Sequence, residues 1–398
     1  MAVEAGTRRP RINPVMREEE RVTPLELFFD LVFVLALTQC TTLMADDPTW
    51  DGLARGILIL GLLWWAWTGY AWLTSVVNPE EGAVRFAMFA AMAALLVAGL
   101  CVPDAFGDEG AAFAVAYAVV RFGHIALFIL ASRDEPQLRK SVVGLAMGTA
   151  VGVGLVVVGA FFEGDARLAI WALALALDVA EPYFFGAEGW KLVPGHFAER
   201  HGLILIIALG EAIVAIGVGA EAGVTAGIAA AAVAGIGLAA AMWWLYFDVV
   251  AIVSARRLER AAVGREQNEM ARDSYSLLHF PMVAGIVLVA LGMKKTIGEV
   301  SEPLDAVPAF ALVGGLGVYL LALVAFRYRH VHTLNVQRLA LGVALFALLP
   351  LVVEIPALVA VVLVTAPMWA LIAYETAGYG EGRTRLRREG LVPDRASR

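Results

Sequence analysis

Apolar runs of about 20 residues recur along the whole chain, and this repetition constrains the fold more than any other feature. A helix needs roughly 20 apolar residues to cross the hydrocarbon core of a bilayer. The composition agrees, since 60% of the 398 residues are hydrophobic and only 17% are charged. A soluble domain would carry about 25% charged residues. The sequence therefore predicts an all-α polytopic membrane protein.

The apolar runs predict twelve transmembrane helices, joined mostly by short loops with turn residues such as Asn78-Pro79. One longer connection, over residues 254–276, has a charge pattern that predicts a cytoplasmic helix. The predicted spans cover residues 25–45, 53–77, 84–102, 111–131, 141–162, 168–186, 201–220, 225–250, 277–296, 307–326, 337–353 and 356–374.

The basic residues are distributed unevenly among the predicted loops. Most of the 30 Lys and Arg residues fall in an N-terminal arm over residues 1–22, in the loops after even-numbered spans, and in a tail over residues 377–398. Loops rich in Lys and Arg stay on the cytoplasmic side of the membrane. Both termini are therefore expected to be cytoplasmic.

Similar short motifs occur in the same order in the two halves of the chain. Trp64-Trp65 in the second span corresponds to Trp243-Trp244 in the eighth, and Phe86-Ala87-Met88 to Phe280-Pro281-Met282. The pattern predicts two six-helix repeats with the same orientation, and transport pathways commonly lie at the interface of such repeats. The predicted repeats cover residues 23–190 and 191–376.

The first span combines an apolar run with two carboxylates. Glu26 and Asp30 are four residues apart, which places them on one face of a helix. Carboxylates are costly inside hydrocarbon, so they usually face a bundle interior or a water-filled cavity. We therefore expect this helix to line a partly polar path, to which Thr38, Thr41 and Thr42 contribute hydroxyl groups.

Other spans also contain ionisable residues, and the acidic ones outnumber the basic ones. This excess favours a vestibule that handles a cation or a proton and narrows toward Glu211. The predicted pathway residues are Glu26, Asp30, Asp178, Glu199 and Glu211. The residues predicted to tune the charge of the pathway are Arg121, His124, Asp248 and His279.

A purely structural interpretation of the same residues stays open. In that case Arg121 neutralises one or two acidic side chains, and Glu199 pairs with Arg121 or Arg200. Acidic residues near span ends, such as Glu181, would then anchor helices beside headgroup water.

No metal site, cofactor or nucleic-acid-binding surface is expected. His196 and Glu199 share a helix face, but His201 points elsewhere and a third metal ligand is missing. No complete set of catalytic residues is discernible. Cys40 and Cys101 fall near the outer ends of spans, where a disulfide is conceivable, although isolated thiols are more often small packing residues.

Four stretches resemble the bacterial low-temperature-requirement A membrane proteins, and they lie in both halves of the chain. They are PLELFFDLVFVLALTQ at 24–39, GHFAERHGLILIIALGEAIVAIG at 195–217, WWLYFD at 243–248 and HFPMVAG at 279–285. The resemblance implies a multi-pass protein of the bacterial plasma (inner) membrane, linked by its family name to growth in the cold.

The first helix also resembles the first helix of the two-repeat, six-span potassium channels of lysosomes and bacteria, where it lines the pore. The matching positions are Glu26, Phe28, Asp30, Val32, Phe33 and Ala36. The sequence departs from that motif at Phe29, where the channels have Ser, and at Leu31, where they have Gly. In the seventh predicted span, Leu203 stands where a second Asp is expected from the position of Glu199.

The leading expectation is a transporter or channel for a cation, a proton or a small solute, and not an enzyme. Its expected partners are the lipid bilayer and the transported species, and a homo-oligomer is compatible with the sequence. The first alternative is a membrane-embedded enzyme that acts on a lipid or isoprenoid through its acidic residues. The second alternative is a structural or regulatory membrane component.

Overall fold

The protein is described by a computed structural model over most of its length. The described residues are 21–80, 82–185, 187–219 and 223–390. Most of the predicted basic arm, residues 1–20, and the end of the predicted tail, residues 391–398, therefore lie outside the described residues.

Helices make up nearly all the regular structure of the described ranges. Within those ranges, strand-like structure is confined to isolated bridge residues such as Pro303, which pairs with Pro356. Helices satisfy their backbone hydrogen bonds within each segment, which the hydrocarbon core of a bilayer requires. The all-α class predicted from the sequence is confirmed.

Long helices joined by short loops form the first part of the chain. They are α1 (Pro24–Asp46), α2 (Trp50–Val76), α3 (Gly82–Cys101), α4 (Gly110–Ala131), α5 (Pro136–Gly159), α6 (Gly164–Phe185) and α7 (Pro194–Gly219). Proline is the first residue of α1, α5 and α7, a position where the missing N–H has no helical partner to lose.

The later part of the chain is more interrupted. Its helices are α8 (Ala226–Phe247), α9 (Val250–Arg260), α10 (Arg265–Met270), α11 (His279–Gly298), α12 (Ala306–Ala309), α13 (Gly315–Val331), α14 (Val336–Ala347), α15 (Leu349–Val352) and α16 (Ala357–Gly390). Two π-helical segments, Ala271–Leu277 and Phe310–Gly314, lie immediately before α11 and α13.

Ten segments in the described ranges are long and apolar enough to cross a membrane, against the twelve spans predicted from the sequence. At the sixth predicted position, α6 has 22 residues but contains several charged side chains. At the eleventh, the span predicted over residues 337–353 is divided between the 12-residue α14 and the short α15. Pro350 explains the break, since proline cannot donate the helical hydrogen bond.

The charged connection over residues 254–276 consists of helical segments that are interrupted at residues 261–264. Ser254 and Leu258 are on the buried side of α9, while Arg257 and Arg260 are exposed. Both arginines lie in the last turn of α9, where positive charge offsets the partial negative charge of the helix end.

The chain divides into two compact units that do not follow the order of the helices. The first unit comprises the described residues of 21–33 and 65–197. In it α3 packs on α4, α4 on α5 and α5 on α6. Tyr70, Tyr117 and Arg121 are among its largest buried side chains.

The second unit comprises the described residues of 34–64 and 198–390. In it α11 packs on α13, α13 on α14 and α8 on α16. Its buried interior contains several tyrosines, and the Tyr319 hydroxyl donates a hydrogen bond to the Met242 carbonyl at 2.7 Å. The helices α1, α2 and α7 each contribute residues to both units.

Candidate functional site

Glu26 closes the first turn of α1. The Thr23 Oγ1 accepts a hydrogen bond from the Glu26 backbone N–H at 3.4 Å. In return, Glu26 Oε2 accepts from the Thr23 backbone N–H at 2.9 Å and from its hydroxyl at 3.0 Å. This reciprocal arrangement is a capping box, which the sequence signals as Thr-x-x-Glu. One carboxylate oxygen of Glu26 is therefore engaged in starting the helix.

The other oxygen of Glu26 contacts a histidine from a distant part of the first unit. His196 Nε2 lies 2.8 Å from Glu26 Oε1, and both side chains are completely buried. The two residues are 170 positions apart in the chain. This contact joins the first turn of α1 to the first turn of α7, and it was not predicted from the sequence.

Asp30 lies one turn beyond Glu26 and is also completely buried. The indole N–H of Trp67 donates a hydrogen bond to Asp30 Oδ1 at 2.7 Å. The neighbouring Phe29 ring lies 4.9 Å from the Tyr70 ring, between ring centres. The start of α1 and the later part of α2 therefore enclose a carboxylate beneath aromatic side chains.

Arg121 and Asp178 form a buried ion pair in the first unit. Arg121 Nη2 lies 3.1 Å from Asp178 Oδ2 and donates to the Thr149 hydroxyl at 3.1 Å. Its Nη1 donates to the Trp65 carbonyl at 3.4 Å. One guanidinium thus connects α2, α4, α5 and α6. The acidic residue that Arg121 neutralises, as the structural interpretation of the sequence expected, is Asp178.

A glycine makes room for the carboxylate of this pair. A Cβ atom at Gly152 would lie 2.3 Å from Asp178 Oδ1, which is far closer than real Cβ contacts. A side chain on α5 at this position would therefore displace Asp178.

His124 lies one turn beyond Arg121 on α4, among aromatic rings. Its ring centre is 5.5 Å from that of Tyr70 and 5.0 Å from that of Phe128. The imidazole also packs against Gly69, where a Cβ would lie 2.9 Å from His124 Cε1. His124 is therefore a packed residue of the first unit.

Two further predicted residues lie near helix ends in the second unit. Glu199 is in the second turn of α7 and is exposed, while the adjacent Arg200 is completely buried. Asp248 is buried and follows the last residue of α8, with its backbone N–H bonded to the Trp244 carbonyl at 3.1 Å. Neither carboxylate is deep inside a helix.

Glu211 is well inside the 26-residue α7 and only 2% exposed. The hydroxyl of Thr38, on α1, lies 2.5 Å from Glu211 Oε2. The Thr41 hydroxyl, one turn along α1, donates to the Leu37 carbonyl at 3.2 Å. The second unit therefore holds a buried acidic group that contacts a hydroxyl side chain.

Glu211 forms no ion pair with any residue that the structure describes. The cation that acts on it electrostatically is Lys294 on α11, beyond ion-pairing distance, and the thiol of Cys40 lies near it on α1. Its environment thus differs from that of Asp178, which contacts a guanidinium directly.

His279, the first residue of α11, lies in a buried cluster of the second unit. Its Nδ1 is 3.1 Å from the Ser274 carbonyl, and its Nε2 is 2.9 Å from the Tyr246 hydroxyl. A carbonyl oxygen can only accept, so in the neutral ring the proton is assigned to Nδ1. His279 Nε2 then accepts the hydrogen bond that Tyr246 donates.

Two other histidines belong to this cluster and were not predicted as site residues. The Tyr275 ring stacks on His279 at 5.1 Å and lies 5.4 Å from His201 and 5.7 Å from His330. Tyr275 is supplied by the π-helical segment Ala271–Leu277, and such turns often occur at functional sites. The chain has six histidines, and their positions in the sequence did not predict this grouping.

A second buried ion pair lies in the second unit and was also missed. Arg338 on α14 donates to both oxygens of Glu375 on α16, through Nε and Nη2, each at 2.8 Å. Its Nη1 donates to the Leu245 carbonyl at 2.9 Å. This two-point contact connects α8, α14 and α16.

In the part of the chain that the structure describes, no group of three His, Cys, Asp or Glu side chains is arranged to hold a metal ion. Cys40 and Cys101 are both buried free thiols.

Comparison with known proteins identifies the family. The model of the family described as "Bacterial low temperature requirement A protein (LtrA)" matches residues 21–373. A protein of Rhizobium meliloti (strain 1021), described as uncharacterized, is 28% identical over 365 residues, which are 87% of this chain and 88% of the relative. No solved structure matches the chain. The chain belongs to the LtrA family, which confirms the resemblance seen in the sequence.

Proposed function

We propose that this LtrA-family protein transports or conducts a small cation or a proton across the bacterial plasma membrane, with Glu211 on the path. The observation that carries the proposal is the burial of Glu211 inside α7 against a hydroxyl group rather than a basic side chain. Ionisable residues are expensive within a membrane and mark ion or proton pathways when they are retained there.

Two other buried acidic residues support this choice by contrast. Asp178 contacts the guanidinium of Arg121, and Glu26 contacts His196 and the first turn of its own helix. Helix packing and helix capping are therefore sufficient reasons for these two carboxylates. Among the described residues, Glu211 has neither an ion pair nor a helix-capping contact.

We further propose the membrane layout that the sequence predicts, with twelve spans in two six-helix repeats and cytoplasmic termini. The excess of Lys and Arg in the arm and the tail supports the orientation. The ordered recurrence of short motifs supports the repeats. In this layout α6 is the sixth span and the α14–α15 region is the eleventh. They are added to the ten segments that are long and apolar enough to cross a membrane.

Flux measurements on the purified full chain in proteoliposomes test the function, with K⁺, Na⁺ and H⁺ gradients imposed in turn. Glu211→Gln removes the negative charge and preserves the shape of the side chain. Glu299→Gln is the matched control, because Glu299 is exposed at the end of α11 in the same unit. We expect flux in the wild type and in Glu299→Gln, and loss of flux in Glu211→Gln.

Asp30→Asn enters the same assay as a separate variant, because Asp30 is a predicted pathway residue that accepts a hydrogen bond from Trp67. Normal flux in Glu211→Gln would contradict the assignment of the path. Absence of wild-type flux for all three ions would overturn the transport proposal. Assays for modification of lipids or isoprenoids would then test the enzyme alternative, and intact lipids would leave a structural or regulatory role.

A further inference from the structure

We infer that the species bound at Glu211 is the proton itself, with the Thr38 hydroxyl as its hydrogen-bond partner in both protonation states, and not a Na⁺ or K⁺ ion held by oxygen ligands. The inference rests on the proposed function and narrows its substrate.

Thr38 lies between two oxygen atoms that can accept its proton. Its Oγ1 is 2.5 Å from Glu211 Oε2 and 3.1 Å from the Val34 carbonyl oxygen, one turn earlier in α1. A hydroxyl group has a single proton and two lone pairs. Thr38 therefore donates to one of the two oxygens at a time, and the protonation of Glu211 decides which.

Both protonation states of Glu211 allow a hydrogen bond with Thr38. When the carboxylate is ionised, the Thr38 hydroxyl donates to Glu211 Oε2. When the carboxyl group is protonated, its O–H donates to Thr38 Oγ1, and the Thr38 O–H turns to the Val34 carbonyl. One proton is gained or lost, and rotation of one hydroxyl is the only rearrangement that the change requires.

A coordinated metal ion would require a different arrangement of these oxygens. Hard cations such as Ca²⁺ hold six or more oxygen ligands at about 2.3–2.6 Å, which keeps neighbouring ligands apart. An ion between Glu211 and Thr38 would separate two atoms that lie 2.5 Å from each other. The Thr41 hydroxyl also lies 3.2 Å from the Leu37 carbonyl, as expected for a bond within the helix. The contact between Glu211 Oε2 and Thr38 Oγ1 is a hydrogen-bond distance, as a proton shared at this position requires.

The titratable side chains around Glu211 are compatible with loss and return of a proton. Cys40 on α1 and Lys294 on α11 act on it, and neither forms an ion pair with it in the described structure. A proton on Glu211 removes the cost of burying its charge. The apolar residues grouped along this part of α7 and α11 are Ala212, Ala215 and Ala290.

The test combines proton flux with substitutions of Thr38 in proteoliposomes of the full chain, using a pH-sensitive dye at a clamped membrane potential. Thr38→Val keeps the shape of the side chain and removes the hydroxyl, whereas Thr38→Ser keeps the hydroxyl. Thr296→Val is the matched control, because Thr296 is a buried threonine of α11 whose hydroxyl bonds to the Gly292 carbonyl.

We expect proton flux that is unchanged when K⁺ replaces Na⁺, that is strongly reduced in Thr38→Val, and that persists in Thr38→Ser and Thr296→Val. Flux that depends on Glu211 but has a reversal potential set by K⁺ or Na⁺ would overturn this inference and leave the proposed function standing. Absence of any flux that depends on Glu211 would overturn the proposed function. Wild-type proton flux in Thr38→Val would overturn the role of the hydroxyl.

An infrared measurement keeps the inference testable if Thr38→Val fails to fold. Titration of the wild-type protein in lipid should produce a carboxylic acid C=O band that Glu211→Gln lacks. Glu299→Gln should retain that band. An identical set of bands in wild type and Glu211→Gln would show that Glu211 does not exchange a proton, and would overturn the inference.

Discussion

Asp178 in the first unit and Glu211 in the second are equally buried carboxylates with different partners. Each is 2% exposed, yet Asp178 contacts the guanidinium of Arg121 and Glu211 contacts the hydroxyl of Thr38. A guanidinium fixes the negative charge and connects helices, whereas a hydroxyl accommodates either protonation state. The partner of a buried carboxylate, more than its depth, therefore separates a structural charge from a candidate pathway residue.

The largest expected effect comes from breaking the first-unit pair. Arg121→Met leaves Asp178 buried without its cation, and breaking a buried pair in this way typically costs about 3–5 kcal/mol. The free energy of unfolding, measured by denaturant titration in mixed micelles, should fall by that amount. The double variant Arg121→Met with Asp178→Leu should recover much of the loss, because it leaves no uncompensated charge. Wild-type stability in the single variant would show that the pair is not structural.

A smaller decrease in the free energy of unfolding is expected when Asp178 is displaced but Arg121 is kept. Gly152→Ala places a Cβ where it would lie 2.3 Å from Asp178 Oδ1, and such overpacking costs about 1–3 kcal/mol. Gly154→Ala is the matched control on α5, because nothing lies within 4 Å of a Cβ there. Equal stability of the two variants in the same titration would contradict the close approach.

Removal of the helix cap at Glu26 should have a still smaller effect. Thr23→Ala deletes the hydroxyl that closes the capping box, and loss of an N-cap side chain costs about 1 kcal/mol. Thr23→Ser should keep most of the stability, since serine caps equally well. If serine and alanine destabilise the protein equally, the hydroxyl does not cap α1.

The smallest effect on stability is expected at Glu211, although that variant should lose flux. Glu211→Gln keeps an oxygen that can accept from Thr38 and leaves no buried charge unpaired, so the unfolding free energy should fall by less than the roughly 1 kcal/mol expected for Thr23→Ala. The measurement is the same titration as for Arg121→Met, in parallel with flux. A loss as large as that of Arg121→Met would place Glu211 with Asp178 as a structural charge.

The limits of most helices could be predicted from the sequence. The span predicted over residues 111–131 corresponds to Gly110–Ala131, and that over residues 25–45 to Pro24–Asp46. The agreement follows from a local property, the length of an apolar run relative to the thickness of a bilayer. Over residues 337–353, apolar content alone did not indicate the division between α14 and α15, which Pro350 explains through its effect on helix geometry.

The candidate site could be predicted only in part. The capping role of Glu26 has a local sequence pattern, Thr23-x-x-Glu26, because the two residues are three positions apart. His196 could not have been matched to Glu26 in this way, since the two lie 170 residues apart. The two-point ion pair of Arg338 with Glu375 was not predicted from the sequence either.

By itself, the sequence determined the helical membrane class, the family and the presence of costly carboxylates within apolar helices. These follow from hydrophobic content and spacing, which sum over neighbouring residues. Only the tertiary structure decided that Asp178 has a guanidinium partner and that Glu211 has a hydroxyl partner. Those pairings depend on which helix faces meet, and contacts such as Thr38 to Glu211, 173 residues apart, leave no periodic trace in the chain.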